Sequence, residues 1–180
     1  MEAKPAHLSP TARVILGLLA AAPRSGYDIK GVVDNSTRFF WAASYGQIYP
    51  ELKRLAEQGL IAAEAAPEGG RRRTTFRITD EGRDALTAWV RDPDLVNEMR
   101  DEGLLKVFFV GLLEREDAIA VLEAAREKYA EKLARLREIE PLAAGADRFG
   151  PLEVLQFGLG ISEFAVKWCD ENLKKLREMD

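Results

Sequence analysis

Three consecutive arginines, Arg71, Arg72 and Arg73, follow the turn-forming run Pro67-Glu68-Gly69-Gly70. A guanidinium group binds phosphate through paired N–H donors, so a basic triplet at a turn favours contact with the phosphates or the minor groove of a nucleic acid duplex. Taken alone, such a triplet is more often a solvated feature of a strand edge. The elements that precede it decide between these two interpretations.

A second set of polar residues, Ser44, Gln47, Tyr49 and Lys53, lies on one predicted helix. At about 100° per residue, the apolar residues of this helix cluster on the opposite face, where they would meet a core. They are Ile48, Leu52 and Leu55. If this helix enters a major groove, we expect the first three polar residues to contact bases or phosphates and Lys53 to contact a phosphate. For Ser44 and Gln47 the alternative role is helix capping, which for Ser44 is compatible with DNA contact. For Tyr49 the alternative is sideways packing.

The first ninety residues carry the start and stop signals of three helices, a hairpin and a fourth helix. Ser9-Pro10 begins the first helix, Ser25 caps the second, and the third runs from Ser44 to Gly59. Two short strands follow, at about Leu60–Ala65 and Arg72–Ile78, and Thr79 caps the fourth helix. This order predicts a winged helix-turn-helix over residues 1–92, with another small α+β core as the alternative.

Residues 93–180 have no strand signals and predict a helical domain. Leu104–Leu113 is apolar on almost every side and is expected to be buried on most faces. A long helix is predicted over Asp117–Ile139, a linker from Pro141 to Pro151, and a final helix from about Pro151. The predicted fold is mainly α with a small β-hairpin: a winged helix-turn-helix domain followed by a helical dimerisation domain.

The final helix carries two apolar stripes, which together are wide enough for two neighbours. The first consists of Leu155, Leu159, Ser162, Val166, Cys169, Leu173 and Leu176; the second consists of Val154, Phe157, Ile161, Phe164 and Trp168. The long helix can cover only one stripe, so a second copy of the chain is expected on the other, giving a homodimer. We assign the dimer interface to Leu155, Leu159, Val166, Cys169, Leu173 and Leu176. Alternatively, Leu104–Leu113 covers the second stripe and the chain is a monomer.

Composition excludes several classes of site. The net charge is −4, but residues 1–92 hold 13 basic and 11 acidic residues, a net +2, while residues 93–180 hold 13 and 19, a net −6. The local field, rather than the total, governs binding to phosphates. With one histidine, His7, and one cysteine, Cys169, we expect no metal site, no catalytic triad and no internal disulfide. No cofactor motif, signal peptide or membrane-spanning stretch is apparent, so a cytoplasmic protein that is not an enzyme is expected.

The run from Ser44 to Leu55, followed by Gly59-Leu60-Ile61, resembles the signature of PadR-type regulators. The wing end Phe76–Thr79 with Gly82, and Gly26-Tyr27 at the second helix, also resemble that family. The length and Leu104–Leu113 resemble its branch with a long helical, dimeric C-terminal domain. The resemblance implies a homodimeric repressor that binds palindromic double-stranded DNA. It also implies release, in some members, by a phenolic or other small aromatic effector.

Such an effector would need a pocket, for which four aromatic residues are candidates: Trp89, Phe108, Phe109 and Trp168. Core packing is the simpler interpretation of these residues. A winged-helix protein-interaction module without DNA binding is the competing function, and the arginine triplet argues against it. The dimerisation fragment of a methyltransferase-like enzyme is a further alternative, but the chain has no room for a cofactor domain.

Overall fold

The computed structural model describes residues 8–34, 45–64, 74–95, 100–145 and 149–179. The chain divides into two compact units, Met1–Val96 and Asn97–Asp180. It is mostly helical with one small antiparallel sheet, as the sequence predicts. In the described ranges, none of the helices is long and apolar enough to cross a membrane.

Among its described residues, the first unit has four α-helices: α1 (Pro10–Ala21), α2 (Gly26–Asp34), α3 (Ile48–Glu57) and α4 (Asp80–Arg91). The starts of α1 and α4 follow the predicted capping residues. The Ser9 hydroxyl accepts a hydrogen bond from the Ala12 amide, and the Thr79 hydroxyl accepts one from Gly82. The core is formed by the apolar faces of α1, α2 and α3 together with residues of the sheet. Its most deeply buried large side chains are Ile15, Leu16, Leu19, Ile29, Val33, Leu52 and Leu55.

The sheet of this unit has three strands in the order β1-β3-β2, which are Arg24–Ser25, Thr75–Ile78 and Ile61–Glu64. Only β2 and β3 were predicted, and the two-residue β1 is too short to leave a periodic signal. Gly59 ends α3 with a φ of 72°, a left-handed conformation that glycine adopts without a steric penalty. The chain then enters β2, whose Ile61 lies opposite Ile78 of β3.

The second unit contains α5 (Glu102–Phe108), α6 (Arg115–Ala144) and α7 (Pro151–Glu178). Three ion pairs join α6 to α7: Arg126–Asp170, Arg137–Glu163 and Glu123–Arg177. Because the residue numbers rise on one helix as they fall on the other, α6 and α7 form an antiparallel hairpin. Tyr129 of α6 donates a hydrogen bond of 2.9 Å to Asp101, which also caps α5.

Two predictions for this unit need correction. The long helix continues through Pro141 to Ala144, where a linker was expected. Pro141 removes one backbone hydrogen bond and crowds the carbonyl four residues earlier, but it lies within the last four residues of α6, which remain helical. The segment 104–113 is not buried on most faces: α5 and the 3₁₀ turn Val110–Leu112 have no buried residue. Both elements pack against α6, and the 3₁₀ turn also packs against α5.

Candidate nucleic-acid interface

Helix α3 has one buried and one exposed face. Ile48, Leu52 and Leu55 are buried, as predicted from their spacing. On the other side Tyr49 is 61% exposed and the Lys53 side chain is 80% exposed. The outer face therefore offers an aromatic hydroxyl and a cation to a ligand.

The start of α3 differs from the expected helix at Ser44. Residues Tyr45–Gln47 form a 3₁₀ turn, and the α-helix begins at Ile48. Pro50 has no N–H to bond the carbonyl of Gly46, so α-helical hydrogen bonding cannot include that turn. Pro50 thus lies in the first turn of α3, where backbone N–H groups have no helical partners in any case. In a helix that began at Ser44, the same proline would have removed a helical hydrogen bond.

The flank of α3 nearest α1 carries a polar network. Ser9 donates a hydrogen bond of 2.6 Å to Oε1 of Glu51, and Thr11 donates one of 3.4 Å to Oε1 of Gln47. Arg54 donates to both carboxylate oxygens of Glu51, at 3.0 and 2.5 Å. These bonds join the first turn of α1 to α3 and fix the position of α3 on the unit.

The opposite flank of α3 contacts the start of α2. A Cβ atom at Gly26 would lie 2.7 Å from Cε1 of Tyr49 and 3.1 Å from Cδ1 of Leu52. Only glycine allows these side chains to approach the backbone so closely. The ring of Tyr49 is therefore placed by the α2 backbone, which corresponds to the sideways packing considered for it, while much of the side chain remains exposed.

The wing is formed by β2 and β3, which pair from Ile61–Ile78 to Glu64–Thr75. Arg77 and Glu64 form an ion pair of 3.1 Å on its exposed side. The triplet Arg71–Arg73 belongs to the connection between these strands and lies outside the described residues, as does Ser44. Both remain predicted DNA contacts.

In the second unit, the first stripe of α7 is covered within one chain. Leu155, Cys169 and Leu173 are buried, and the other three residues predicted for the interface, Leu159, Val166 and Leu176, are half-buried. A Cβ at Gly158, on the same side, would lie 3.3 Å from Leu136 of α6. Three of the six residues are therefore covered within one chain, whereas Leu159, Val166 and Leu176 keep part of their surface, and the assignment of the six to the dimer interface stays a prediction.

The second stripe of α7 is open to solvent. Phe157 is 70% exposed and Phe164 is 68% exposed, and Val154 and Ile161 are exposed as well. Burial raises the pKa of the Cys169 thiol on the covered stripe, which keeps it protonated like a small apolar side chain.

Two family models match the chain. The model of the transcriptional regulator PadR-like family matches residues 15–88, and the model described as virulence activator alpha C-term matches residues 99–177. The negative transcriptional regulator PadR of Bacillus subtilis is 31% identical over 169 residues, which cover 88% of this chain and 93% of that protein. The chain belongs to the PadR-like family of transcriptional regulators. The resemblance stated from sequence is confirmed.

Solved structures extend the PadR-like match over more than nine-tenths of the chain. The crystal structure of Bacillus subtilis PadR in complex with operator DNA is 30% identical, with a TM-score of 0.81 over 92% of this chain and 98% of that one. The same protein in complex with p-coumaric acid is also 30% identical, with a TM-score of 0.77 over 94% of this chain and 100% of that one.

The structure of this PadR-like chain brings three of the predicted DNA contacts onto α3 or its leading turn: Gln47, Tyr49 and Lys53. It also identifies residues that were missed, namely Ser9, Thr11, Glu51 and Gly26. Glu51 and Arg54 have the i, i+3 spacing of a helical ion pair, which was a usable signal. The bonds from α1 join residues 36 and 42 positions apart, and no local pattern indicates them.

The four aromatic pocket candidates belong to different parts of the chain. Arg13 of α1 lies over the ring of Trp89, 5.0 Å from its centroid. Phe108 and Phe109 pack edge to face at 5.0 Å, and both are exposed. Trp168 on α7 is half-buried. Because the first three are exposed, simple core packing does not account for them.

Proposed function

We propose that the chain is a cytoplasmic, non-catalytic transcriptional repressor that binds a palindromic operator as a homodimer. Residues 1–92 would bind DNA and residues 93–180 would dimerise. The observation that carries the proposal is the exposed outer face of α3, with Tyr49 and Lys53, in a chain that superposes on operator-bound PadR with a TM-score of 0.81. A winged helix-turn-helix places this helix in the major groove and its wing on neighbouring phosphates or the minor groove.

Each α3 residue has a role that its position supports. Lys53, at the exposed face, would bind a phosphate. Tyr49, held against Gly26, would present its hydroxyl to a base edge or a phosphate. Gln47 uses Oε1 toward Thr11, which leaves its amide N–H groups to donate to a base acceptor such as N7 or O6 of guanine. Ser44, which precedes these residues in the sequence, is also a proposed DNA contact.

The wing assignment is tested by changing Arg71, Arg72 and Arg73 together to glutamine. Removing one phosphate contact reduces the steepness of log K against log salt by about 0.9, so a dimer can lose up to about 5. Fluorescence anisotropy on a labelled operator fragment, at four salt concentrations, measures this. Changing Lys128, Lys132 and Arg135 of α6 to glutamine removes the same charge elsewhere and should leave the slope unchanged. An unchanged affinity and slope in the wing variant would refute the assignment.

Base reading is tested separately with Gln47→Ala. If Gln47 reads a base, this change alters the order of preference among operator variants, because base contacts carry sequence information that phosphate contacts do not. A uniform loss across all sequences would assign Gln47 to structure instead. Failure of the wild-type chain to bind any duplex would favour the alternative, a winged-helix module for protein interactions.

A small phenolic acid is the effector class that we propose, from the p-coumaric acid complex of the 30% identical relative. Trp89, Phe108, Phe109 and Trp168 are the proposed contacts. Titration with p-coumaric acid should quench tryptophan fluorescence and release a bound operator fragment. Cyclohexanecarboxylic acid serves as the non-aromatic control. If no phenolic acid of a panel quenches the fluorescence or releases the DNA, the effector proposal is refuted. The DNA-binding proposal is not affected by that result.

A further inference from the structure

The two cations in the second turn of α3 have different surroundings. The Lys53 ammonium is 3.8 Å from Glu57, and both side chains are well exposed, so water and salt screen this pair. Arg54 instead donates two hydrogen bonds to the Glu51 carboxylate, at 3.0 and 2.5 Å. Paired bonds of this kind fix the guanidinium in one orientation and neutralise its charge locally.

The carboxylate that holds Arg54 is itself fixed. The Glu51 side chain is only 12% exposed, and its Oε1 also accepts the 2.6 Å hydrogen bond from Ser9, the N-cap of α1. Burial acts to raise the pKa of Glu51, but the hydrogen bonds from Arg54 and Ser9 and the charge of Arg54 hold it below its ordinary value. Glu51 is therefore ionised at neutral pH. Because Ser9 also holds its carboxylate, Glu51 does not move freely together with Arg54.

We propose that Glu51 is a specificity-determining residue that withholds Arg54 from DNA, so that Lys53 is the phosphate-binding cation of α3. This inference rests on the proposed DNA-binding function. A phosphate approaching Arg54 would have to displace a largely buried carboxylate or tolerate its negative charge nearby. Phosphate contacts supply affinity that does not depend on sequence. One phosphate contact fewer per protomer therefore lowers the affinity for unrelated DNA, and base contacts then contribute a larger share of the binding free energy.

Salt dependence of DNA binding separates a withheld arginine from one that binds phosphate. Arg54→Gln should leave the steepness unchanged, whereas Lys53→Gln should lower it by about 0.9 per protomer. Glu51→Gln should release Arg54, raise the steepness by a similar amount, and tighten binding to an unrelated duplex several-fold. The double variant with Arg54→Gln should return to the wild-type slope. Glu81→Gln and Arg83→Gln, on exposed positions of α4, provide matched changes of charge.

The measurement uses the full chain on an operator fragment and on an unrelated duplex, with thermal melting to verify that each variant folds. A loss of slope in Arg54→Gln equal to that in Lys53→Gln would overturn the inference, even if Glu51→Gln does not fold. So would a Glu51→Gln variant that folds and keeps the wild-type slope on both duplexes. If the wild-type chain binds neither duplex at any salt concentration, the proposed function fails, and the inference with it.

Discussion

The exposed second stripe of α7 leads to a direct test of the proposed homodimer. We expect the double change Phe157→Ala and Phe164→Ala to produce folded monomers. The two rings are 70% and 68% exposed in the single chain, and they flank Ile161 on the same side of the helix. A contiguous apolar surface of this kind, on a regulator that we propose to bind palindromic sites, marks an interface.

The size of the effect follows from the exposed area. A phenylalanine side chain offers roughly 200 Å² of surface, so each ring leaves about 140 Å² to be buried by a partner. At about 25 cal/mol per Å², burying this area is worth about 3.5 kcal/mol per ring. A two-fold dimer contains two copies of each ring, so four rings contribute to the interface. Association recovers only part of such area, and a third of the sum is still about 4 to 5 kcal/mol. The dimer dissociation constant should therefore rise more than 100-fold.

Sedimentation equilibrium at micromolar concentration measures the mass directly, against 20.1 kDa for one chain. Phe149→Ala is the matched control, because Phe149 is also exposed but lies before α7 and off the stripe. Unchanged helical circular dichroism must accompany the loss of mass. A wild-type chain of about 20 kDa, or a double variant that stays dimeric with an unchanged dissociation constant, would refute the reasoning.

Three further predictions concern the first unit. Gly82→Ala places a methyl group against the carbonyl oxygen of Leu60. The free energy of unfolding of this variant, measured by urea titration, should therefore fall by more than about 2 kcal/mol. An unchanged value would show that the backbone adjusts. Gly26→Ala displaces the exposed ring of Tyr49. We expect this variant to bind the operator more weakly and to keep a melting temperature close to that of the wild type. An operator affinity equal to that of the wild type would argue against Tyr49 as a contact. Because the folded-state pKa of Glu51 lies below its ordinary value of 4.5, the stability it contributes is present above that value and is lost as pH falls through the folded pKa. The acid-side stability profile of Glu51→Gln should be flatter than that of the wild type, and identical profiles would contradict this.

Local signals predicted most of the first unit. Ser9 and Thr79 cap helices as their types indicate, and the Ile48, Leu52 and Leu55 spacing gives the buried face of α3. Strand β1 was not predictable, since its two residues pair with β3 about fifty positions later. Such a pairing is determined by tertiary packing and leaves no pattern in its own segment.

For the second unit, the sequence predicted two apolar stripes on α7, and the dimer interface was assigned to the stripe that the chain itself largely covers. Both have the spacing of a helical seam, so periodicity alone does not distinguish the Leu155 stripe from the Phe157 stripe. The antiparallel ion pairs between α6 and α7, such as Arg126–Asp170, orient the first stripe inward. The apolar character of Leu104–Leu113 was likewise read as burial, although an apolar surface can also be reserved for a partner.

The orientation of α3 depends on contacts with other elements more than on the helix itself. Ten residues with a proline in the first turn make a marginal helix in isolation. Its apolar face is held by the core, one flank by the bonds from Ser9 and Thr11, and the other by the close approach of Tyr49 to Gly26. Because these contacts use the sides of the helix, the outer face remains free for DNA. A substitution at Ser9 or Gly26 can therefore alter DNA recognition without touching a base or a phosphate.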